Sequence, residues 1–189
     1  GQLRLASRVS GKEEFRETLR YYRVVLAKYG VTIKTSTSFL PEDAQHFDEI
    51  VYTAGVLPRK IDVEGNHLPH VVTYDQLLNG SVVPGKNIVI IGAGGIGIDT
   101  AMFLVKGSDA ESKEEFLQRW KVDSTWSQRG GIAAPTEKFS PTKNITILQR
   151  GKGKPGKNLG KTTAWIHREE LKILGVKYID DLQYKRITT

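Results

Sequence analysis

The chain has no cysteine among its 189 residues. Thiol nucleophiles, disulfides and Cys-ligated metal centres are therefore excluded within it. No run approaches the roughly 20 consecutive apolar residues a membrane helix requires, so no span is expected. The opening residues, Gly1-Gln2-Leu3-Arg4, include neither an initiator Met nor the apolar core of a signal peptide. They read as the start of a segment cut from a longer chain, and a cytoplasmic location is expected. The histidines His46, His67, His70 and His167 show no metal-ligand spacing and read as ordinary polar residues, so no metal site is expected. Serine, histidine and aspartate occur, but no nucleophile-elbow motif does, and no catalytic residue is assigned.

Charge is present but unevenly spread. The net charge is +7, from 28 Lys and Arg against 21 Asp and Glu. Residues 143–189 hold 11 Lys and Arg against 4 Asp and Glu, which accounts for the whole surplus. A basic second half marks an anionic partner. The cations concentrate in one glycine-rich loop, Arg150-Gly151-Lys152-Gly153-Lys154-Pro155-Gly156-Lys157, with no interleaved aromatics. A small phosphate ligand suits a single loop better than a nucleic-acid groove does, so no nucleic acid is expected.

Several local patterns organise the chain. Ser10 and Glu13 have capping-box spacing, and Phe15, Leu19, Tyr22, Val25, Leu26 and Tyr29 follow at helical intervals up to Gly30. Strands are expected at residues 31–35 and 48–55, loop at 58–69 and a helical turn at 74–78. Asn79-Gly80-Ser81 and Pro84-Gly85 mark a boundary between domains at 1–80 and 81–189. In the second domain, strands at 86–91, 144–148 and 176–179 alternate with helices after residue 92 and over 161–174. A polar insertion, residues 107–143, contains a further helix at 111–122, and residues 184–189 form another candidate strand. Trp120, Trp126 and Trp165 read as core or interface residues. The β-α-β-α-β order predicts an α/β fold, a Rossmann-like doubly wound parallel sheet with helices on both faces.

The most informative stretch joins the strand Ile88-Val89-Ile90-Ile91 to Gly92-Ala93-Gly94-Gly95-Ile96-Gly97 and a following helix. Gly92, Gly94 and Gly97 fit G-x-G-x-x-G. In a dinucleotide site the first glycine makes the tight turn, the second admits the pyrophosphate and the third lets the helix pack on the strand. The phosphates then lie on free N–H groups at the helix N-terminus. The plain alternative is a glycine-rich turn with no ligand.

The second strand of such a fold normally ends in a carboxylate that binds the adenosine ribose. Here it ends in Gln149-Arg150, and no carboxylate follows before Glu169. A guanidinium without a carboxylate suits a 2′-phosphate, which favours NADP over NAD. Lys152 and Lys154 would add charge from a flexible loop without fixed geometry. The alternative is that Arg150 is a solvated surface charge. Gly160-Lys161-Thr162 is not a Walker motif, because Pro155 stands where its first glycine belongs. It is expected to open a helix whose N–H groups face the same anion.

Further segments carry a family resemblance. They are Gly-Lys-Glu-Glu-Phe at 11–15, Leu-Arg-Tyr-Tyr at 19–22, the glycine turn with Asp99-Thr100-Ala101-Met102, and Leu148-Gln149-Arg150 with Lys154-Pro155-Gly156. Leu159-Gly160-Lys161-Thr162-Thr163-Ala164-Trp165-Ile166-His167-Arg168 and the insertion residues Trp120, Asp123, Gly130 and Gly131 belong with them. Over nearly its whole length the chain resembles the bacterial NADPH-dependent 2,4-dienoyl-CoA reductases. The resemblance implies a parent with a barrel carrying FMN, a 4Fe-4S cluster and the dienoyl-CoA site, then an FAD domain with an inserted NADP domain. Residues 1–80 would be part of the FAD domain without its glycine fingerprint, and residues 81–189 the front of the NADP domain. Electrons would pass from NADPH to FAD, then through the cluster to FMN and the conjugated double bonds of a fatty acyl-CoA. The resemblance maps Gln2, Lys12, Phe39, Ala54 and Gly55 to the FAD lining. It maps Gly92, Ala93, Gly94, Gly95, Ile96, Gly97 and Arg150, with Lys152 and Lys154, to the NADP site. The implied partners are NADPH and the barrel and FAD-domain parts of the same protein. The FAD site here would be incomplete and the segment alone inactive. Two alternatives stay open: a related amine dehydrogenase or NADH oxidase flavoprotein with an ADP-binding domain, and a basic anion-binding module with no redox role.

Overall fold

The computed structural model describes residues 1–107, 111–133 and 140–188. Along the chain run α1 (Gln2–Ala6), α2 (Phe15–Lys28), α3 (Tyr74–Leu78), β1 (Asn87–Ile91), α4 (Gly95–Lys106), α5 (Lys113–Arg119), β2 (Asn144–Leu148), α6 (Ala164–Ile173) and β3 (Lys177–Ile179). Short 3₁₀ turns cover Pro41–His46 and Arg129–Gly131. The three strands form a parallel sheet in the order β1-β2-β3. Its register pairs Ile88 with Ile145, Ile90 with Ile147 and Leu148 with Ile179. The parallel Rossmann-like sheet of the expected fold class is therefore present.

Among the described residues α4 and α6 lie on one face of this sheet. Right-handed crossovers that step in the same direction across a parallel sheet place successive helices on the same side. Accordingly α4 and α6 pack against each other. Ile90, Ile145 and Ile147 point under them and are buried. Alternation turns Val89 and Ile179 to the opposite face, where they are 60% and 47% exposed.

The core is one cluster that runs across residue 80. Val9, Leu77 and Leu78 from the first segment pack with Ile98, Ala101, Met102 and Leu104 of α4. The tail also returns to the first segment: Ile187 N–H donates to the Glu64 carbonyl at 2.8 Å. That single bridge, between Glu64 and Arg186, replaces the strand expected at 184–189, of which Thr189 lies outside the described residues.

Both strands expected in the first segment are absent from the described structure. Residues 31–35 and 48–55 carry no strand and are exposed, with Val51 82% and Tyr52 90% accessible. An isolated strand leaves its N–H and C=O groups to water and buries little, and no described strand lies beside either segment. Ser10 and Glu13 do not cap α2: Ser10 is buried, and Glu13 accepts from the Gly11 N–H at 2.9 Å. The helix starts at Phe15, with Glu14 as its N-cap. Its far end matches expectation, with Val31 N–H to Leu26 O and Gly30 N–H to Ala27 O forming a Schellman closure. Gly175 ends α6 the same way.

The described part of the insertion is anchored by charge. Residues 108–110 and 134–139 of it lie outside the described residues. Ser112 and Glu115 form a capping box at α5, the Ser112 N–H donating to Glu115 at 2.8 Å and the Glu115 N–H to Ser112 Oγ at 3.1 Å. Lys106 Nζ lies 2.6 Å from Glu170 Oε1, Arg119 Nη2 lies 2.9 Å from the same oxygen, and Arg119 also pairs with both oxygens of Glu111. Two cations and two carboxylates thus tie α5 to the end of α4 and to α6. Trp126 is 84% exposed and Trp165 is also exposed, so neither is a core residue.

Asp123 closes the loop beyond α5. Its carboxylate accepts from Thr125 Oγ1 at 2.6 Å, the Gln128 N–H at 2.6 Å, the Thr125 N–H at 2.9 Å and Ser127 Oγ at 3.0 Å. The Thr125 hydroxyl and the Gln128 N–H hold this carboxyl well below the usual carboxylate range. A depressed folded pKa contributes stability that is full above the ordinary aspartate value of about 3.9 and fades as pH falls through the folded value. Asp123→Asn should therefore lower the melting temperature at pH 7, and the gap to wild type should narrow below about pH 4. A gap that is equal at pH 7 and pH 3 would remove the carboxylate from the loop's stability.

Candidate functional site

The candidate site is built on the turn between β1 and α4. Gly92 has φ +114°, a left-handed conformation that L side chains rarely adopt, and its N–H extends the ladder by donating to Leu148 O at 2.8 Å. A Cβ on Gly97 would overlap the Gly92 carbonyl oxygen, so α4 crosses the turn at backbone contact. Gly94 is the N-cap of α4, and a Cβ built on it meets nothing within 4 Å. The first bond of α4 runs from Ile98 N–H to Gly94 O at 3.1 Å. The N–H groups of Gly95, Ile96 and Gly97 precede it and have no acceptor inside the helix. Turn, open space and unfilled donors are what a dinucleotide pyrophosphate requires at a helix N-terminus. On these observations the residues present fit a nicotinamide dinucleotide.

The structure brings the basic loop to this turn. Gly156 N–H donates to Ala93 O at 2.8 Å, and the Leu159 side chain lies 3.4 Å from a Cβ built on Gly95. Arg150, Lys152 and Lys154 are exposed around the loop. The loop is not free, which corrects the expectation of a flexible segment. Gln149 Nε2 donates to Gly151 O at 2.6 Å, Gly153 N–H donates to Asp180 at 2.6 Å, and the Tyr178 hydroxyl donates to Gly153 O at 2.6 Å. Burial pushes the Tyr178 phenol up, with the Asp180 carboxylate adding to the rise, so the hydroxyl stays a donor. Burial likewise raises Tyr184, opposed by the nearby Arg150 guanidinium. Residues 161–163 are a turn rather than the start of the helix. The Thr163 and Ala164 N–H groups both donate to Gly160 O, at 3.1 and 2.9 Å, and so do not face an anion.

Tyr178, Asp180 and Tyr184 were not among the expected site residues. The signal for them was positional. Parallel pairing of Leu148 with Ile179 sets the residues after β2 beside those after β3, so Asp180 reaches a loop from which it is 27 residues distant in sequence.

The residues mapped to FAD fall in three places. Gln2 reaches the segment next to Ala54 and Gly55: its Nε2 donates to Val56 O at 3.3 Å, and Tyr74 donates to its Oε1 at 3.0 Å. Lys12 lies elsewhere, paired with Asp99 of α4 at 2.5 Å. Phe39 is exposed, with its ring centroid 6.0 Å from that of Phe47. Among the described residues no cluster of three or more His, Asp or Glu could hold a metal, and no helix is long and apolar enough to cross a membrane.

A parallel β-α-β-α-β unit with this turn is a nucleotide-binding fold of the Rossmann type. The chain belongs to the pyridine nucleotide-disulphide oxidoreductase family, which it matches over residues 4–189. Membership implies a domain that binds FAD and a nicotinamide nucleotide. The chain is 26% identical over 194 residues to the metal reductase of Desulforamulus reducens, covering 96% of this chain and 27% of that protein. It is 26% identical over 141 residues to the bilirubin reductase of Mediterraneibacter gnavus, covering 74% of this chain and 22% of that one. It is 30% identical over 95 residues to the cinnamate reductase of Clostridium sporogenes, covering 49% of this chain and 14% of that one. A solved 2-naphthoyl-CoA reductase in complex with 2-naphthoyl-CoA matches all of this chain and 24% of its own, with a TM-score of 0.71 and 22% identity. That likeness is one of fold. The chain spans about a quarter or less of the length of each of these proteins.

Proposed function

We propose that this chain supplies the NADPH-binding part, residues 81–189, and a portion of the FAD site, within residues 1–80, of a flavoenzyme that reduces 2,4-dienoyl-CoA. The observation that carries the reading is the open glycine turn at α4 with a cationic loop bonded to it through Gly156 N–H and Ala93 O. The bound nicotinamide supplies a hydride to the flavin. The chain's own residues do the rest of the binding. The N–H groups of Gly95, Ile96 and Gly97 hold the pyrophosphate, and Arg150 with Lys152 and Lys154 meets the 2′-phosphate. Gln2, Ala54 and Gly55 line one side of the FAD site, and other parts of the parent complete it. FMN and the 4Fe-4S cluster belong to those other parts, since this chain has no cysteine to ligate iron. The acyl-CoA substrate class rests on the resemblance of the segments around Gly11–Phe15, Gly92–Met102 and Leu148–Arg168 to the dienoyl-CoA reductases.

The test has two arms. Calorimetric titration of the chain should show NADPH binding more tightly than NADH or ADP. The pure chain should show no NADPH-dependent reduction of a dienoyl-CoA, whereas the whole parent protein should. Preference for ADP would support the amine dehydrogenase type instead. Salt-dependent binding of random DNA without nucleotide binding would support a basic module.

A further inference from the structure

Gly153, at the tip of the basic loop, is held by both of its backbone groups from the neighbouring strand. Its N–H donates to Asp180 Oδ2 and its carbonyl accepts the Tyr178 hydroxyl, each at 2.6 Å. Tyr178 and Asp180 are two residues apart on an extended segment, so their side chains leave the same face. Gln149 Nε2 adds bonds to Gly151 O at 2.6 Å and Gly153 O at 3.4 Å. The loop between carries Arg150, Lys152 and Lys154. Left to itself, a stretch with glycine at every second position would lose much chain entropy on closing around an anion. A loop already ordered loses less, and its affinity rises accordingly.

We propose that Tyr178 and Asp180 are positioning residues for nucleotide selection: they clamp Gly153 so that Arg150, Lys152 and Lys154 face the 2′-phosphate of NADPH. This rests on the NADPH reading above. The Asp180 carboxylate would repel that phosphate if charge alone mattered, but its oxygen is engaged by a backbone N–H. The two roles have opposite signs. As a bare charge, Asp180 weakens NADPH binding, and its removal tightens it. As a clamp it strengthens binding, and its removal loosens it. Tyr178→Phe tests the clamp without any change of charge. The variant keeps the ring that packs against the core and loses only the hydroxyl.

The experiment measures NADPH and NADH dissociation constants by calorimetry at one salt concentration for wild type, Tyr178→Phe and Asp180→Ala. Amide hydrogen exchange over residues 150–154 is followed in parallel. Each variant should weaken NADPH about three- to tenfold, the range expected for one lost hydrogen bond, with NADH changing by less than about twofold. Exchange over 150–154 should quicken in both. Tighter NADPH binding in Asp180→Ala with no change in Tyr178→Phe would make Asp180 a repelling charge and overturn the clamp. Equal losses for the two nucleotides, or unchanged exchange, would overturn it as well. A wild-type chain without preference for NADPH removes the nucleotide reading, and the clamp with it. A wild-type chain that prefers NADPH beside two silent variants rejects the clamp alone.

Discussion

Gly94→Val should abolish NADPH binding by this chain and leave its fold in place. The Gly94 backbone has φ −80° and ψ −172°, which valine adopts readily, and the new side chain enters empty space. That space is where the pyrophosphate would lie against the N–H groups of α4. The loss of glycine at the N-cap costs about 1 kcal/mol, so the melting temperature should fall by no more than about 4 °C. Gly97→Ala should behave in the opposite way. Its single methyl group would overlap the Gly92 carbonyl oxygen, and both groups belong to backbone that cannot rotate aside. Overpacking of this kind costs up to about 3 kcal/mol, which for a chain of this size lowers the melting temperature by roughly 6–12 °C. Thermal melts and calorimetry on the two variants separate the roles. Unchanged NADPH affinity in Gly94→Val would make the motif a structural turn. A Gly97→Ala protein as stable as wild type would mean that α4 does not cross the turn at backbone contact.

Arg150→Ala should weaken NADPH by about ten- to a hundredfold. A charge-assisted bond is worth roughly 1.5–3 kcal/mol, and each 1.4 kcal/mol is about a factor of ten in affinity. NADH lacks the 2′-phosphate and should change little. Any share of the loss that comes from guanidinium stacking on adenine affects both nucleotides equally. Dissociation constants for both, in wild type and variant at one salt concentration, decide the matter. An equal loss for NADH and NADPH, or no loss for either, would take Arg150 out of the 2′-phosphate site and reopen the choice between NADP and NAD. The side chain is exposed and Tyr184 lies near it, so the substitution leaves the core untouched.

The second half of the chain was largely legible from local pattern. Isoleucine- and valine-rich runs bounded by glycine and polar residues marked β1 and β2 to within a residue, because β-branched side chains suit a pleated, half-buried surface. Gly30 and Gly175 marked helix ends, because a left-handed residue is what a Schellman closure needs. The glycine turn at 92–97 was legible for the same reason: each glycine meets a local steric demand. The first half was less so. Residues 31–35 and 48–55 have strand-like composition, yet a strand exists only beside another strand, and sequence alone cannot supply a missing neighbour. Ser10 and Glu13 had the right spacing for a cap, but Ser10 was drawn into the buried packing around Val9 instead. Helix α1 escaped notice, since five residues of Gln-Leu-Arg-Leu-Ala carry too short a period to register.

Sequence by itself determined the strand–turn–helix unit, the absence of cysteine chemistry and the concentration of positive charge in one loop. Each depends only on residue type and on spacing within a few positions. Tertiary structure decided the rest. The direction of the two crossovers put α4 and α6 on one face of the sheet. Parallel pairing of β2 with β3 carried Tyr178 and Asp180 to Gly153, and the fold of residues 153–156 set the basic loop against the glycine turn. These outcomes depend on which strands become neighbours, a long-range choice made by packing.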